Sequence, residues 1–463
     1  MIEQFFADLF AHQRIGILGF GREGISTYKT IRKYVPGSQM MILDKSELSA
    51  EKKNILAADA NVKTFTGENY LEKLSETDLI VKSPGIPTMV LENFGYKGQI
   101  YSQADLFLRL YRDQVVGITG TKGKSTTSSL LHHILISAGR KSFLAGNIGV
   151  PPFEIINQVT PDSIIVLELS SHQLENCSTS PRISVLLNLF QEHLDHYRSY
   201  FDYHLAKANI AKFQSKNDFF ITDISNHDVL NLINSLTLDG TILFIGTNDK
   251  KKESFFFAGD DFVIDIANNR QIIEGLAKMI KIPGRHNLKN VSAAALVAIL
   301  CGLNPDAIKT GVSSFKGLPH RLEYVGEARG IHFYNDSIST IPQATIEALK
   351  AFPETSTLIA GGFDRGIDYK PLADFLPDTN LKTLILIGQA GRKIHESLDK
   401  KSAIGNISIL LPENFENAVK LALDFTPRGK ICLLSPAASS YDEFKNFEKR
   451  GMAFKNLVRK YSS

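Results

Sequence analysis

The chain has 463 residues, of which 43% are hydrophobic and 22% are charged, and its 52 basic residues nearly balance its 49 acidic ones. This length indicates about three domains, and the small net charge of +3 argues against a nucleic-acid partner or a strongly anionic surface as target. The three cysteines lie far apart without a CxxC pair, which argues against a disulfide framework or a zinc site and fits a reducing cytosol.

The hydropathy pattern gives no sign of a membrane segment. No run approaches the ~20 apolar residues that a membrane helix needs, and the amino end lacks the apolar core of a signal peptide. We therefore expect a cytoplasmic protein without membrane insertion, and we expect it to act as a monomer.

Apolar runs of strand length alternate with helix-length segments along most of the chain. Because helices cover both faces of a parallel sheet, its buried strands read as continuous apolar runs, and the pattern predicts an α/β protein. The predicted strands are RIGILGF (14–20), MMILD (40–44), LIVKS (79–83), VVGITG (115–120), SIIVLELS (163–170), ISVLLNL (183–189), GIHFYND (330–336), STLIAGG (356–362), LKTLILIG (381–388) and KICLLSPAA (430–438). A more polar stretch, FFFAGDDFVID (255–265), is typical of a hairpin.

Two breaks in this pattern divide the chain. One lies near SQADLFLRLYRDQ (102–114), and the other is SSFKGLPHR (313–321), where Gly and Pro interrupt a helical pattern. We therefore predict three α/β domains, each of plausible size, at 1–107, 108–317 and 318–463.

The first predicted strand runs into GFGREG (19–24), which fits the G-x-G-x-x-G pattern of a phosphate-binding turn. Asp44 ends the next strand, where a nucleotide site places an acidic residue for the ribose. A tight turn whose glycines serve only packing is the alternative. We predict a site for the diphosphate of a nucleotide, and the motif does not specify the base. The SPG segment (83–85), which follows a later strand, is expected to form another wall of this site. Its predicted residues are Gly19, Gly21, Arg22, Asp44, Ser83, Pro84 and Gly85.

A second glycine-rich loop, GITGTKGKSTT (117–127), lies between a predicted strand and a predicted helix. It resembles a P-loop but breaks the usual spacing, because Ile118 stands where the first glycine is expected. Its other glycines still let backbone amides approach phosphate oxygens, its second lysine supplies a cation, and the serine that follows can ligate magnesium. A glycine-rich turn with a solvated lysine is the alternative. The residues predicted to hold a triphosphate are Gly120, Thr121, Gly123, Lys124, Ser125 and Thr126.

Further motifs follow this loop in a characteristic order. They are ELSS (168–171), EHLDHY (192–197), GRHNLKN (284–290) and HRLE (320–323). Together with GTKGKST they resemble the Mur ligase family, whose ATP-dependent enzymes build the peptide stem of bacterial peptidoglycan. The carboxyl end, SPAASSYDEFKNFEKRG (435–451), is most similar to the glutamate-adding members.

The resemblance implies a reaction and a fold. ATP would activate the carboxylate of UDP-N-acetylmuramoyl-L-alanine as an acyl phosphate, and the amine of glutamate, expected to be the D-isomer, would then attack. ATP and Mg²⁺ are the implied cofactors. A Rossmann-like domain for the UDP-sugar, a central P-loop ATPase domain with a mostly parallel sheet, and a Rossmann-like carboxyl-terminal domain for the amino acid are expected.

The resemblance also implies catalytic residues and metal ligands. Ser125 and Glu168 would bind one magnesium and His193 a second, helped by Lys207 if that lysine is carbamylated. Lys124, His193 and Lys207 would carry catalysis. Without the resemblance, His193 would be interpreted as a surface residue and Lys207 as a solvated helix lysine.

Other residues would contact the substrates. Asn147, Ser170 and Gln173 would face the muramoyl-alanine, Asn287 and Asn290 the adenine, and a pair from the third domain, Arg321 and Asp336, the phosphate and ribose of ATP, so that domain closure would complete that site. The residues expected to line the glutamate pocket are Thr340, Arg365, Ser440 and Phe447, with Arg365 at the position of a glutamate-binding lysine.

Two positions depart from the family pattern. Ile338 replaces a lysine in NDSIST (335–340), and Lys122 stands where an asparagine is usual, beside the expected phosphates. A variant subgroup with a similar pattern adds L-glutamate, and that activity is the first alternative. A different Mur or folylpolyglutamate-type ligase, an oxidoreductase built on GFGREG, and a non-catalytic protein that kept the fold are further alternatives.

Overall fold

Three β-sheets flanked by helices make up the protein, as the computed structural model shows. It describes residues 1–192, 196–246, 254–266, 269–399 and 407–461. The chain forms two compact units, one of residues 1–280 and 286–314, the other of residues 281–285 and 315–463. In the described ranges, every helix is too short or too polar to cross a lipid bilayer.

The first sheet has five parallel strands in the order β3-β2-β1-β4-β5. Its strands are β1 (Arg14–Leu18), β2 (Gln39–Asp44), β3 (Val62–Thr66), β4 (Leu79–Lys82) and β5 (Gln99–Tyr101). Its helices are α1 (Ile2–Phe10), α2 (Arg22–Tyr34), α3 (Ala50–Leu56), α4 (Thr88–Asn93) and α5 (Gln103–Tyr111). The strand order reverses direction at β1, and a ligand crevice lies at such a switch point in open α/β sheets.

The central sheet has nine strands in the order β14-β13-β12-β11-β10-β9-β6-β8-β7. They are β6 (Val115–Thr119), β7 (Ser142–Gly146), β8 (Ile164–Glu168), β9 (Ile183–Leu186), β10 (Phe219–Asp223), β11 (Thr241–Ile245), β12 (Ser254–Ala258), β13 (Asp261–Ile266) and β14 (Asn269–Ile273). Strands β6 to β12 pair in parallel, and β12, β13 and β14 form an antiparallel extension that contains the predicted hairpin.

Helices cover this central sheet. They are α6 (Lys124–Ser137), α7 (Ser171–Leu174), α8 (Tyr200–Ala208), α9 (His227–Asn234), α10 (Asn287–Leu300) and α11 (Pro305–Ser314). Buried alanines 293–295 and 298 let α10 lie close against α6. This packing fixes the start of α6, where the second glycine-rich loop ends.

The third sheet, in the second unit, has six strands in the order β15-β16-β20-β17-β18-β19, antiparallel only between β15 and β16. The strands are β15 (Glu323–Ala328), β16 (Ile331–Asn335), β17 (Thr355–Gly361), β18 (Thr383–Ile387), β19 (Ser408–Leu410) and β20 (Ile431–Leu434). The helices are α12 (Pro342–Ala351), α13 (Lys370–Phe375), α14 (Gly388–Asp399), α15 (Phe415–Phe425) and α16 (Phe447–Lys460).

The predicted α/β class with parallel-rich sheets is confirmed. Each of the ten apolar runs overlaps an observed strand, and the hairpin pairs β12 with β13. The three domain limits drawn from the sequence stay a prediction.

Candidate active site

The first glycine loop joins β1 to α2 through a turn that requires glycine. Gly19 has φ +85, and a Cβ on Gly24 would lie 2.1 Å from the Gly19 carbonyl oxygen. Asp44 holds this turn, because its Oδ2 accepts a hydrogen bond from the Phe20 N–H at 2.7 Å. The carboxylate thus supports the loop, and its predicted contact with a ribose stays a prediction.

A cavity of about 290 Å³ lies in front of this loop. Its lining residues are Gly21, Arg22, Glu23, Ser83, Pro84, Gly146, Asn147 and Pro151. The structure therefore brings five predicted residues (21, 22, 83, 84 and 147) together from loops that are far apart in the sequence. Gly85 lies in the same segment as the neighbouring Ser83, between β4 and α4.

Glu23 is a lining residue that the sequence analysis missed. Its Oε1 accepts a hydrogen bond from Gln173 Nε2 at 2.6 Å, and burial raises the pKa of the carboxyl. The feature of the sequence that could have identified Glu23 is its position, as an acidic residue, inside a glycine motif of the phosphate-binding type.

The second glycine loop connects β6 to α6 and also requires glycine. Gly120 has φ +152 and Gly123 has φ +87, and a Cβ on Gly123 would lie 2.5 Å from Asn290 Oδ1. Lys124 Nζ donates to the Gly120 and Thr121 carbonyl oxygens at 2.8 and 3.1 Å. The loop therefore places a cation and a helix amino terminus together, an arrangement that favours phosphate.

Two threonines of this loop differ in their surroundings, since the Thr121 hydroxyl has a side-chain partner and Thr126 is partly exposed. The Thr121 hydroxyl lies 2.8 Å from Tyr203 Oη. Thr126 lies in the first turn of α6 and is partly exposed. Lys122 forms an ion pair with Glu192 at the outer side of the loop.

Glu168 ends β8, next to β6, and its carboxylate joins two loops. Its Oε1 accepts hydrogen bonds from Ser125 Oγ at 3.3 Å and from Asn147 Nδ2 at 2.7 Å. Its Oε2 is buried and has no hydrogen-bond partner among the described residues. A carboxylate oxygen without a partner beside a serine hydroxyl fits magnesium, which prefers oxygen ligands.

His193 lies outside the described residues, so its predicted role as a magnesium ligand stays a prediction. Across the described part of the chain, no group of three or more His, Cys, Asp or Glu side chains is arranged to hold a metal ion.

Lys207, on α8, is 2% exposed and lies beside the phosphate loop. Its Nζ donates to the Gly120 carbonyl oxygen at 3.1 Å and to Thr119 Oγ1 at 3.4 Å. Burial first, and then the nearby charge of Lys124, lower the pKa of Lys207 well below its usual value, while two glutamates oppose that change. A solvated helix lysine, the alternative interpretation, is wrong.

Ser170 and Gln173 form the amino-terminal cap of α7. Ser170 Oγ accepts from the Gln173 N–H at 3.2 Å, and Gln173 Oε1 accepts from the Ser170 N–H at 3.0 Å. Since the Gln173 amide also holds Glu23, these side chains support the cavity wall. Their predicted substrate contacts stay predictions.

Asn287 and Asn290 lie in the first turn of α10 and are buried. Asn290 Nδ2 donates to Asn287 Oδ1 at 2.8 Å, and Asn290 Oδ1 accepts from Thr127 Oγ1 at 3.3 Å. The pair therefore ties α10 to the phosphate loop. Its predicted contact with adenine is not tested.

In the second unit, Asp336 directly follows β16 and lies in a buried polar cluster. Its carboxylate accepts from Ser339 Oγ at 2.6 Å, Ser435 Oγ at 2.8 Å and the Leu322 N–H at 3.2 Å. Burial raises the pKa of Asp336 to about 6 against the effect of these bonds. The neighbouring Arg321 is exposed.

Predicted glutamate-pocket residues also lie in this unit. Arg365 Nη2 donates to the Thr340 carbonyl oxygen at 3.4 Å. Ser440 is buried, and Phe447 begins α16 and accepts a hydrogen bond at its carbonyl oxygen from Ser337 Oγ at 2.8 Å. Arg365 and Thr340 are thus together, and the pocket as a whole stays a prediction.

Arg450 supports these loops and was missed by the sequence analysis, which treated the EKRG segment only as part of a motif. It is 1% exposed and donates to the carbonyl oxygens of Ser337, Ala438 and Ser439, all at 3.0 Å. Burial lowers its pKa to about 10.

Known proteins match this chain over almost its whole length. The model of the Mur ligase middle domain matches residues 118–298. The UDP-N-acetylmuramoylalanine–D-glutamate ligase of Koribacter versatilis (strain Ellin345) is 33% identical over 453 residues, 97% of each chain. The enzyme of that name from Clostridium botulinum (strain 657 / Type Ba4) is 34% identical over 472 residues, 98% of each chain. The chain belongs to the Mur ligase family.

Solved structures share the fold of this Mur ligase. The MurF ligase of Thermotoga maritima in complex with ADP has a TM-score of 0.56 at 18% identity, covering 96% of this chain and 95% of its own. UDP-N-acetylmuramate–alanine ligase MurC of the same organism has a TM-score of 0.56 at 16% identity, covering 97% and 100%. The family resemblance seen in the motifs is confirmed, and the oxidoreductase alternative is wrong.

Proposed function

We propose that this Mur ligase joins D-glutamate to UDP-N-acetylmuramoyl-L-alanine with hydrolysis of ATP, through an acyl phosphate. The observation that carries the proposal is the Glu168 carboxylate, which bonds to Ser125 of the phosphate loop and to Asn147 of the cavity loop. One carboxylate thus connects an expected triphosphate site with an expected acceptor site. The names of relatives that match 97% of the chain support the choice of substrates and of the D-isomer.

The proposed chemistry has two steps. A carboxylate oxygen of the acceptor attacks the γ-phosphorus of ATP, and ADP leaves. The glutamate amine then attacks the carbonyl carbon of the acyl phosphate, loses a proton and expels inorganic phosphate. Several negative groups meet at the reacting atoms, so Lys124 and the amino end of α6 would supply most of the stabilisation.

Glu168 and Ser125 would hold magnesium, with His193 and a carbamylated Lys207 at a second ion. Bound magnesium would neutralise charge on the phosphoryl oxygens. The lowered pKa of Lys207 supports carbamylation, because the neutral amine can attack carbon dioxide, form an N–C bond and release a proton to become an anionic oxygen ligand.

The cavity in front of the first glycine loop would take the UDP-sugar. Its lining includes the amino end of α2 at residue 22, which suits a diphosphate. In this arrangement Asn147 would face the muramoyl-alanine end, beside Glu168.

The test is phosphate release from ATP with UDP-N-acetylmuramoyl-L-alanine, compared for D-glutamate and L-glutamate in parallel. Release with the D-isomer alone supports the proposal. Release with the L-isomer alone assigns the protein to the variant subgroup and makes Ile338 the first position to exchange. No release with either isomer, from protein that still binds ADP in a direct titration, contradicts the proposed substrates.

A further inference from the structure

A second cavity opens at the amino ends of the central strands, at the opposite end from the phosphate loop. Its volume is about 300 Å³, close to that of the cavity in front of the first glycine loop. The phosphate loop and this cavity lie at opposite ends of β6, whose five residues span roughly 16 Å. The apolar residues lining it are Val115, Val116, Ile164, Ile183, Phe219 and Leu300. This space is large enough for a small molecule with an apolar part.

Four exposed charged side chains, two of each sign, surround this apolar floor. Arg140 and Asp162 stand just before β7 and β8, and these strands are hydrogen-bonded neighbours. Asp113 and Arg182 stand just before β6 and β9, which are also neighbours. Adjacent strands lie about 4.8 Å apart, so each arginine starts one strand away from an aspartate.

These opposite charges nevertheless do not neutralise one another. None of the four forms an ion pair with a residue in the described ranges. Asp162 accepts a hydrogen bond from Thr160 Oγ1 at 2.6 Å, and this bond, followed by smaller effects that include the charge of Lys141, lowers the pKa of Asp162. The cavity therefore presents unpaired charges of both signs beside an apolar surface.

We propose that this cavity binds a small zwitterion, an α-amino acid with an apolar side chain. The planar fork of an arginine matches a carboxylate, an aspartate can accept from an ammonium group, and the apolar floor would take the side chain. A simple anion would pair with an arginine but would leave the aspartates without a cationic partner. This site lies outside the proposed ligase chemistry and does not depend on it.

Cys301 provides a reporter at the cavity wall. It follows α10, lines the cavity and is partly buried, whereas Cys177 and Cys432 are fully buried. Burial raises the pKa of Cys301 to about 11, and the charges of Arg140 and Arg182, which line the same cavity, oppose this change. A ligand in the cavity would therefore restrict access to the thiol.

The experiment measures the rate at which N-ethylmaleimide labels Cys301 in the full chain, with L-phenylalanine as the probe. Phenylpropionate, which lacks the ammonium, and phenethylamine, which lacks the carboxylate, are the comparison compounds. We expect L-phenylalanine to slow labelling and each comparison compound to need an about tenfold higher concentration, since a charge-assisted hydrogen bond contributes about that factor. Calorimetric titration of Cys301→Ser checks binding without the label.

Matched variants assign the contacts. Arg140→Gln and Asp162→Asn should each weaken protection about tenfold, while Arg329→Gln, an exposed arginine of the second unit, should leave it unchanged. Equal protection by phenylpropionate would overturn the zwitterion assignment, because it would show that the aspartates play no part. Absence of protection by L-phenylalanine, or protection that survives both variants, would overturn the site itself.

Discussion

The two ends of the central sheet carry their charges in different ways. At the carboxyl ends, Glu168 and Lys207 are almost completely buried and are bonded to the loops around them. At the amino ends, Arg140 and Asp162 remain exposed. Burying a charge costs free energy unless partners stabilise it, so a substitution should have large effects at the first end and small ones at the second.

The largest effect is expected at the phosphate loop. Lys124→Ala should lower phosphate release from ATP by about a thousandfold, because the developing charge loses its cation in a preorganised site. The measurement is initial-rate phosphate release under saturating substrates. Lys216→Ala, an exposed lysine in the same unit, is the control, and near-normal turnover of the Lys124 variant would remove this loop from the reaction.

The next effect concerns stability at a largely buried ion pair between Lys82, which ends β4, and Glu175, which follows α7. Lys82 Nζ donates to Glu175 Oε2 at 3.0 Å, and the Lys82 side chain is 1% exposed. Lys82→Met should lower the free energy of unfolding by about 3 kcal/mol at pH 7, because the carboxylate stays partly buried without its cation. Chemical denaturation measures the change, and Lys73→Met, at an exposed pair, should cost less than about 1 kcal/mol.

The same pair predicts a pH dependence. Burial disfavours the charged Glu175, but His196 and Lys82 outweigh it and hold the pKa at about 2, against the usual 4.5. A lowered pKa stabilises the fold above the usual value, and that contribution is lost as the pH falls towards about 2. The difference between wild type and Lys82→Met should therefore shrink between about pH 5 and pH 2, and a constant difference would contradict the pKa assignment.

A smaller loss is expected at the buried lysine. Lys207→Ala should lower turnover tenfold to a hundredfold, the range typical of groups that support a metal ligand set. If Lys207 is carbamylated, a short carboxylic acid such as acetate, with added bicarbonate, should restore part of this activity by supplying anionic oxygen in the vacated space. Lys207→Arg, which leaves no space, is the control and should not respond.

The smallest effect is expected at the amino ends. Arg140→Gln and Asp162→Asn should change the free energy of unfolding by less than about 0.5 kcal/mol, as is usual for exposed positions. Ligase turnover with all substrates present and no added L-phenylalanine should equal that of wild type. A loss above about 1 kcal/mol would mean that these charges are structural and that the two ends of the sheet do not differ as described.

The sequence predicted the central strands better than the edges. Central strands such as β1 and β6 are buried on both faces and therefore appear as apolar runs. The edge strand β3, VKTFT, is half exposed and polar and gave no such run. The polar residues that precede the central strands have the composition of ordinary loops, so the cavity at the amino ends of these strands was not predicted.

Site residues on recognisable loops were predicted, and those defined by distant contacts were not. Arg22 and Asn147 belong to glycine-rich loops at strand ends, and the carboxyl ends of neighbouring strands meet at one edge of a sheet. Glu23 becomes part of the cavity wall through Gln173, 150 positions away in the chain. Arg450 acquires its role through Ser337, 113 positions away. Local pattern carries no information about such pairs.

The hydrogen bond from Asn147 Nδ2 to Glu168 Oε1 has a consequence for the order of binding. A nucleotide-sugar that accepts a hydrogen bond from the Asn147 amide would compete with Glu168 for that bond. The charge distribution and the mobility of the Glu168 carboxylate, which is expected to bind a cation, would then change. Thermodynamic linkage requires the reverse influence to be equal in size, so whichever ligand arrives first sets the affinity of the other. A single amide in the wall of one cavity is therefore enough to couple the binding of a nucleotide-sugar to the binding of a cation at Glu168 before any covalent bond is formed.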